Sequence, residues 1–363
     1  MAKTILFGCV LVGALYVSVA LGANVVAITG DTQDTIQVND VDTLSTVQTI
    51  VQFLAVKLSH LISLENYIYA VGVNSAGEGV VLQFEILNGN NKLEFVTSTS
   101  YGTECTQPSA LTATYDYSDE PALAMSCIGS GTTLVMDPET LQLIQLYILP
   151  EISDISASKV GDVAMTANYL YATYTTLPQS DDDKSEGLLV QYSTDSWEIV
   201  NWSIIRGPSS HLKIGGSSDL FLTSTGNGAS YLSQLNPNTL EEVNRRNPQG
   251  FEFLQMNLTP NLKSLFLYIQ KSGLNAGRVR NFDQTKYPAE KSCDDVRIEL
   301  SPATSQPLVF GEYLFIRSSS SMTRFTFGHG CPRQKSQTSY GLTEPDNYST
   351  SIAIACRSCV SIS

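Results

Sequence analysis

Two of the three histidines stand in the same phrase, Ser59-His60-Leu61 and Ser210-His211-Leu212. Imidazole suits borderline cations and carboxylate suits hard ones, so a mixed His/Asp set is a metal-site pattern. The acidic run Asp181-Asp182-Asp183 would complete such a set if its loop folds towards the histidines. His60, His211, Asp181 and Asp183 are therefore the candidate metal ligands. The alternative is that both serine–histidine pairs are echoes of a repeat and serve only its backbone. His329, between Gly328 and Gly330, reads as a turn residue beside Cys331.

Asp181-x-Asp183-x-Ser185 has the alternating oxygens of a calcium loop, but Gly187 comes one residue late. The twelfth place is Tyr192 rather than Glu, so this is no EF-hand. A solvated acidic loop is the favoured reading, and the same holds for Asp31, Asp34, Asp40 and Asp42. For nucleophilic catalysis, Asn74-Ser75-Ala76-Gly77 lacks the first glycine of G-x-S-x-G. Neither H-E-x-x-H nor G-x-x-x-x-G-K-[ST] occurs. A carboxylate pair for glycoside chemistry is defined by its separation, which sequence does not supply.

The elements that would hold these groups repeat. Asn66-Tyr67-Ile68-Tyr69-Ala70 returns as Asn168-Tyr169-Leu170-Tyr171-Ala172, Asp219-Leu220-Phe221-Leu222-Thr223, Ser264-Leu265-Phe266-Leu267-Tyr268 and Glu312-Tyr313-Leu314-Phe315-Ile316. Weaker copies start at Asn24 and Pro121. Short aromatic and β-branched runs after a polar residue read as strands buried on both faces. The starts at 24, 66, 121, 168, 219, 264 and 312 are 42 to 55 residues apart. A period of that length built from short strands predicts four-stranded blades.

A turn recipe recurs as well: Asp40-Val41-Asp42-Thr43-Leu44, Asp137-Pro138-Glu139-Thr140-Leu141 and Asn236-Pro237-Asn238-Thr239-Leu240, with Ser193–Trp197 and Asn88–Asn91 as looser forms. Asp or Asn folds its side chain onto the backbone ahead, and Pro presets φ for a type I turn. These turns should join the third strand of each blade to the outermost one. Glu241–Asn247 then falls where charge would protect an exposed edge.

Residues 1–22 read as a signal peptide, with Lys3 before an apolar stretch and Ala20-Leu21-Gly22 at the cleavage site. Its loss removes Lys3 and turns the net charge from −14 to −15. So acidic a chain disfavours nucleic acid and anionic lipid as partners. Six cysteines follow the leader: Cys105, Cys127, Cys293, Cys331, Cys356 and Cys359. An even number suits three disulfides in an oxidising compartment, with Cys105–Cys127 the expected local pair. Sequons occur at Asn201, Asn257 and Asn347. Asn201, at the end of an outer strand, and Asn347 are expected to carry glycans; Asn257, in an inner strand, is not.

The D-P-E-T-L and N-P-N-T-L turns, with their flanking strands, resemble the broad YVTN-type, quinoprotein-like (WD40-like) β-propeller superfamily across most of residues 24–363. That resemblance implies a fold and no activity. The expected architecture is an all-β, seven-bladed β-propeller over residues 23–363. Its ring would be closed by a C-terminal strand within Ser349–Cys356 joining the first blade beside Asn24–Ile28. The expected function is a secreted, non-catalytic extracellular binding or matrix protein with a protein or glycan ligand. The second reading is a secreted enzyme with a channel-mouth site for metal-assisted hydrolysis or lyase chemistry. No cofactor is expected beyond calcium or another divalent metal. No membrane span remains after cleavage, and the oligomeric state is open.

Overall fold

The computed structural model describes residues 24–29, 35–41, 43–51, 56–64, 66–87, 92–114, 121–152, 155–176, 186–214, 219–226, 229–247, 251–258, 264–271, 276–283, 290–291, 296–299, 308–310, 313–317, 321–328, 331–339 and 352–356. Among them the regular structure is antiparallel sheet, with one short 3-10 turn at Gly102–Glu104.

The first sheet holds β1 (Asn24–Thr29), β2 (Thr35–Asp40) and β3 (Thr46–Val51). The second holds β4 (Lys57–Leu64), β5 (Tyr67–Val73), β6 (Gly79–Ile86) and β7 (Leu93–Ser100). The third holds β8 (Pro108–Ala113), β9 (Leu123–Cys127), β10 (Thr132–Met136) and β11 (Leu143–Tyr147). In the fourth, the two-residue β12 (Glu151–Ile152) precedes β13 (Ile155–Met165), β14 (Tyr169–Thr176), β15 (Gly187–Ser193) and β16 (Ile199–Ile205). The fifth is β17 (Ser209–Ile214), β18 (Leu220–Gly226), β19 (Ala229–Leu235) and β20 (Glu242–Arg246).

The sixth sheet is β21 (Phe251–Leu258), β22 (Ser264–Lys271) and β23 (Ala276–Asp283), with β24 (Glu290–Lys291) and β25 (Val296–Glu299) both paired to β23. The seventh is β26 (Leu308–Phe310), β27 (Tyr313–Arg317), β28 (Ser321–Gly328) and β29 (Cys331–Ser339). Then β30 (Ile352–Cys356) returns to the first sheet, pairing with β1 from Asn24↔Cys356 to Ile28↔Ile352. The repeated phrase is thus the second strand of its sheet, the third in the fourth sheet where the short β12 leads, or β1 where β30 precedes it in the ladder.

Its uninterrupted burial has a simple cause, seen at the second, third and fourth sheets: each is sandwiched between two others. Ile68 and Ala70 of β5 pack with Ile36 and Val38 of the first sheet. Tyr69 and Val71, on the opposite face, pack with Leu111, Met125 and Leu134 of the third. The same alternation puts Leu170 and Ala172 against Ala124 and Val135, and Tyr171 against Leu212 and Leu222. Each fully buried aliphatic or aromatic side chain contributes about 1.5–3 kcal/mol, so two apolar faces per sheet are what this packing requires.

The turn recipe forms as expected at the third-to-outermost connections. Asp137 Oδ1 accepts hydrogen bonds from Thr140 N at 2.6 Å and Thr140 Oγ1 at 2.7 Å; Asp40 does the same with Thr43. The closing residue adopts positive φ: 59° at Leu44, 55° at Leu141, 58° at Trp197 and 58° at Leu240. The left-handed region is costly for a γ-branched residue. It is held here because the three leucines are buried and because Leu141 N donates to Asp137 O at 2.9 Å. The Asn88–Asn91 turn lies outside the described residues.

Neighbouring sheets grip these turns. Tyr69 Oη and Gln83 Nε2 each donate to Pro138 O at 3.1 Å, and Tyr101 Oη donates to Leu141 O at 2.7 Å. Tyr171 Oη reaches Pro237 O at 3.4 Å by the same route. The outermost strands are less charged than Glu241–Asn247 suggested. Phe95 and Val96 of β7, Leu143 and Ile144 of β11, and Val200 and Trp202 of β16 are exposed. The expected Cys105–Cys127 disulfide is present, with Cα atoms 5.3 Å apart.

Candidate functional site

The first strands of successive sheets pack in the order β30, β4, β8, β13, β17, β21, β26, and β26 also contacts β30. Five of them carry an irregularity at the same height. In β4, Leu58 pairs with Gly72 and His60 with Val71, leaving Ser59 as the extra residue. In β17, Ser209 pairs with Ser224 and His211 with Thr223, leaving Ser210. In β8 the extra residue is Ser109, and in β21 it is Leu254. In β13, Gly161 and Asp162 together stand opposite Thr173. Bulges of this kind re-aim the side chains beside them.

These ladders put His60, Asp162 and His211 at one level. Leu61 pairs with Ala70, Val163 with Ala172 and Leu212 with Leu222, and the three polar residues immediately precede Leu61, Val163 and Leu212. Gly161 takes the place of the serine for a steric reason, since a Cβ there would lie 2.6 Å from Thr173 Oγ1. The two serine–histidine phrases are therefore repeat echoes in origin, and the repeat is what brings their imidazoles to a common height.

Hydrogen bonds tie this level from sheet to sheet. Ser59 Oγ donates to Val71 O at 3.3 Å and lies 3.5 Å from Pro108 O on β8. Ser126 Oγ donates to Gly161 O at 2.8 Å and lies 2.9 Å from Ser109 Oγ. The Asp162 carboxylate accepts from Val163 N at 2.9 Å and, across the sheet boundary, from Leu212 N at 2.8 Å. His211 Nδ1 is 3.9 Å from Asp162 Oδ2, an ion-pair distance when the imidazole is protonated and too long for a hydrogen bond.

His60 differs from the rest of the level. Its Nδ1 is shielded from solvent and has no hydrogen-bond partner among the described residues. Burial pushes its pKa down to about 4; Asp162 opposes the shift, while His211 and Lys213 add to it. His60 is thus a neutral imidazole near pH 7. In packing order β8 stands between β4 and β13, so these charges act on His60 from sheets that do not neighbour its own.

The arrangement offers a neutral imidazole whose Nδ1 has no partner among the described residues, a carboxylate fixed by two backbone donors and a second imidazole beside it. Such a set can hydrogen-bond a polar group. Asp181 and Asp183 lie outside the described residues, as do Cys293, Cys359 and Asn347. Among the described residues no group of three or more His, Cys, Asp and Glu could hold a metal ion. Cys331 opens β29 and Cys356 closes β30. Asn201 lies within β16 rather than at its end; it is half-buried, and its Nδ2 donates to Asn238 O at 3.0 Å. Asp162 is the member of the site that residue types alone did not flag. The signal for it was positional: Gly161-Asp162 occupies the slot in which β4 and β17 read Ser-His.

No protein-family model matches the chain, and no curated protein matches it in sequence. Solved structures do match in shape. A candidate 6-phosphogluconolactonase from Bacteroides fragilis aligns with a TM-score of 0.62 at 14% identity, covering 92% of this chain and 98% of that one. A hypothetical selenium-binding protein from Sulfolobus tokodaii aligns with a TM-score of 0.62 at 11% identity, covering 92% and 93%. The Cps50 (Swd1) β-propeller domain of Myceliophteria thermophila aligns with a TM-score of 0.54 at 11% identity, covering 80% and 88%. At such identities the likeness concerns fold alone, and that fold is β-propeller-like.

Proposed function

We propose that the protein is a secreted, seven-bladed propeller that binds an extracellular protein or glycan at its channel mouth and releases it unchanged. In this reading the seven sheets are blades of one ring, β30 closes it beside β1, and the first strands line the channel. Three observations favour the ring: the β1–β30 ladder, the contact of β26 with β30, and the bond from Arg324 Nη1 to Val41 O. Export is favoured by the leader-like residues 1–22 and by the Cys105–Cys127 disulfide, a bond that persists in oxidising compartments. Glycans at Asn201 and Asn347 belong to the same proposal.

The observation that carries the binding role is the level of His60, Asp162 and His211. Three sheets contribute one polar group each, and one buried nitrogen is left for an incoming partner. The test is surface plasmon resonance of the secreted protein against immobilised neutral glycans and a basic protein such as lysozyme, followed by mass spectrometry of the eluted probe. A saturable signal weakened by His60→Ala, with the probe recovered intact, is the expected result. A chemically altered probe would instead select the enzyme reading, for which the His211–Asp162 approach is the relevant feature. Catalytic proton transfer would require that 3.9 Å contact to shorten to about 3 Å. Elemental analysis for calcium and other divalent metals tests the cation expected from Asp181 and Asp183.

A further inference from the structure

The first strands are charged in the opposite sense to the chain that carries them. The whole chain has 35 acidic and 21 basic residues. Yet β4, β8, β13 and β17 together hold Lys57, Lys159 and Lys213 against the single carboxylate of Asp162. The strand β21 adds Glu252, while β26 and β30 add no charge. These strands are thus poor in carboxylates rather than rich in basic residues, and their balance is slightly positive where the whole chain is acidic.

Their placement follows the repeat. Lys57 faces Val73 and Lys159 faces Thr175, so each stands three residues before its member of the polar level, His60 or Asp162. Lys213 stands two residues after His211 with no register shift between them, and so lies on the same face of β17. Lys213 and His211 both act electrostatically on His60. Asp162 is the negative counterweight, but both its oxygens already accept backbone donors and His211 stands beside it. Against these partnered groups, the buried Nδ1 of His60 is left with no partner among the described residues.

We infer that the space between the first strands takes a small oxyanion, a carboxylate or a phosphate group. His60 contributes a directed donor through the tautomer that carries its proton on Nδ1. Lys213 contributes positive charge, His211 contributes a second imidazole, and Lys57 and Lys159 draw the anion towards the strand starts. A cleft of one sign concentrates ligand of the other, more so in a molecule whose outer surface repels that ligand. This inference rests on the channel-mouth reading above and gives it a ligand chemistry.

Isothermal titration calorimetry of the full secreted chain tests it, with inorganic phosphate and malonate as probes at low ionic strength. At least one probe should saturate a single site and bind more weakly as salt rises. Binding of phosphate without malonate identifies a phosphate-bearing ligand; the reverse identifies a carboxylate. Lys213→Gln, at a half-buried position that tolerates a polar side chain, should weaken binding at least about tenfold, as should His60→Phe, each losing one charge-assisted or buried hydrogen bond. Lys57→Gln should leave the site intact with a smaller loss. Heat of dilution alone for both probes, or affinity unmoved by Lys213→Gln, would overturn the inference. If both anions fail while His60→Ala still abolishes capture of the immobilised glycan or protein, the binding role stands and only the oxyanion assignment falls.

Discussion

Arg324 donates from Nη1 to the carbonyl oxygen of Val41, 2.7 Å away, although 283 residues separate them in sequence. The guanidinium also lies over the Tyr313 ring, 4.7 Å from its centroid. Arg324 pairs with Phe315 in its ladder as Gln83 pairs with Tyr69, and Val41 holds the same place in its turn as Pro138. The seventh sheet therefore grips the first as the second sheet grips the third.

This contact predicts long-range coupling between the chain's two ends. Arg324→Gln should lower unfolding free energy by about 1.5–3 kcal/mol, the range for a hydrogen bond to a charged group. Removing residues 349–363 deletes β30, the ladder partner of β1, and should cost more and broaden the transition. Guanidinium denaturation followed by tyrosine fluorescence measures both. A truncated chain that melts like the intact one would separate β30 from the stability of the fold.

Tyr69 and Gln83 share a single acceptor, Pro138 O, and Gln83 Nε2 also lies 3.3 Å from Tyr69 Oη. Either donor alone can satisfy that carbonyl. Tyr69→Phe and Gln83→Leu should therefore each cost about 1 kcal/mol, while the double variant leaves Pro138 O unpaired and costs about 1–3 kcal/mol beyond their sum. A double-mutant cycle by urea denaturation reports that coupling directly.

Asp137 supplies a pH dependence of known sign. Hydrogen bonds from the Thr140 hydroxyl and amide hold its carboxyl below the ordinary value. A carboxylate with a depressed folded-state pKa contributes stability above the unfolded pKa and loses it as pH falls through the folded one. Asp137→Asn keeps an acceptor oxygen and removes the charge, so its stability profile should be flatter than wild type below about pH 4. Melting temperatures across acidic pH for the two proteins check this.

The fold was legible where the physics is local. A strand buried on both faces must be apolar throughout, as at Ile68–Val71, and a turn closed by Asp137 and Thr140 needs those residue types. The candidate site was legible only in half. His60 and His211 were conspicuous by type and by a shared Ser-His-Leu frame. Asp162 sits in a bulge one residue longer than its partner strand, so its alignment with them depends on counting ladder pairs that sequence does not display. The exposed apolar side chains of β7, β11 and β16 were not foreseen either. Outer strands pack on one neighbour only, and edge charge is one protective device among several.

The protonation of His60 is the most direct measure of the candidate site. Burial holds its pKa down at about 4, whereas an unfolded chain has the ordinary value of 6.5. The folded state therefore binds fewer protons there than the unfolded state between those two pH values. Stability attributable to this group is fully present above pH 6.5 and declines as pH falls towards about 4, the same direction as for Asp137 but beginning at higher pH. Long-range 1H–15N spectra of the imidazoles, followed from pH 8 to pH 3.5, should show His60 neutral until the acid end of the range. Lys213→Gln removes one of the charges that depress its pKa, so it should move the midpoint of His60 upwards. A His60 midpoint near 6.5 in the folded protein would mean that its nitrogen is hydrated, and the case for a shielded, unpartnered donor facing the first-strand space would be lost.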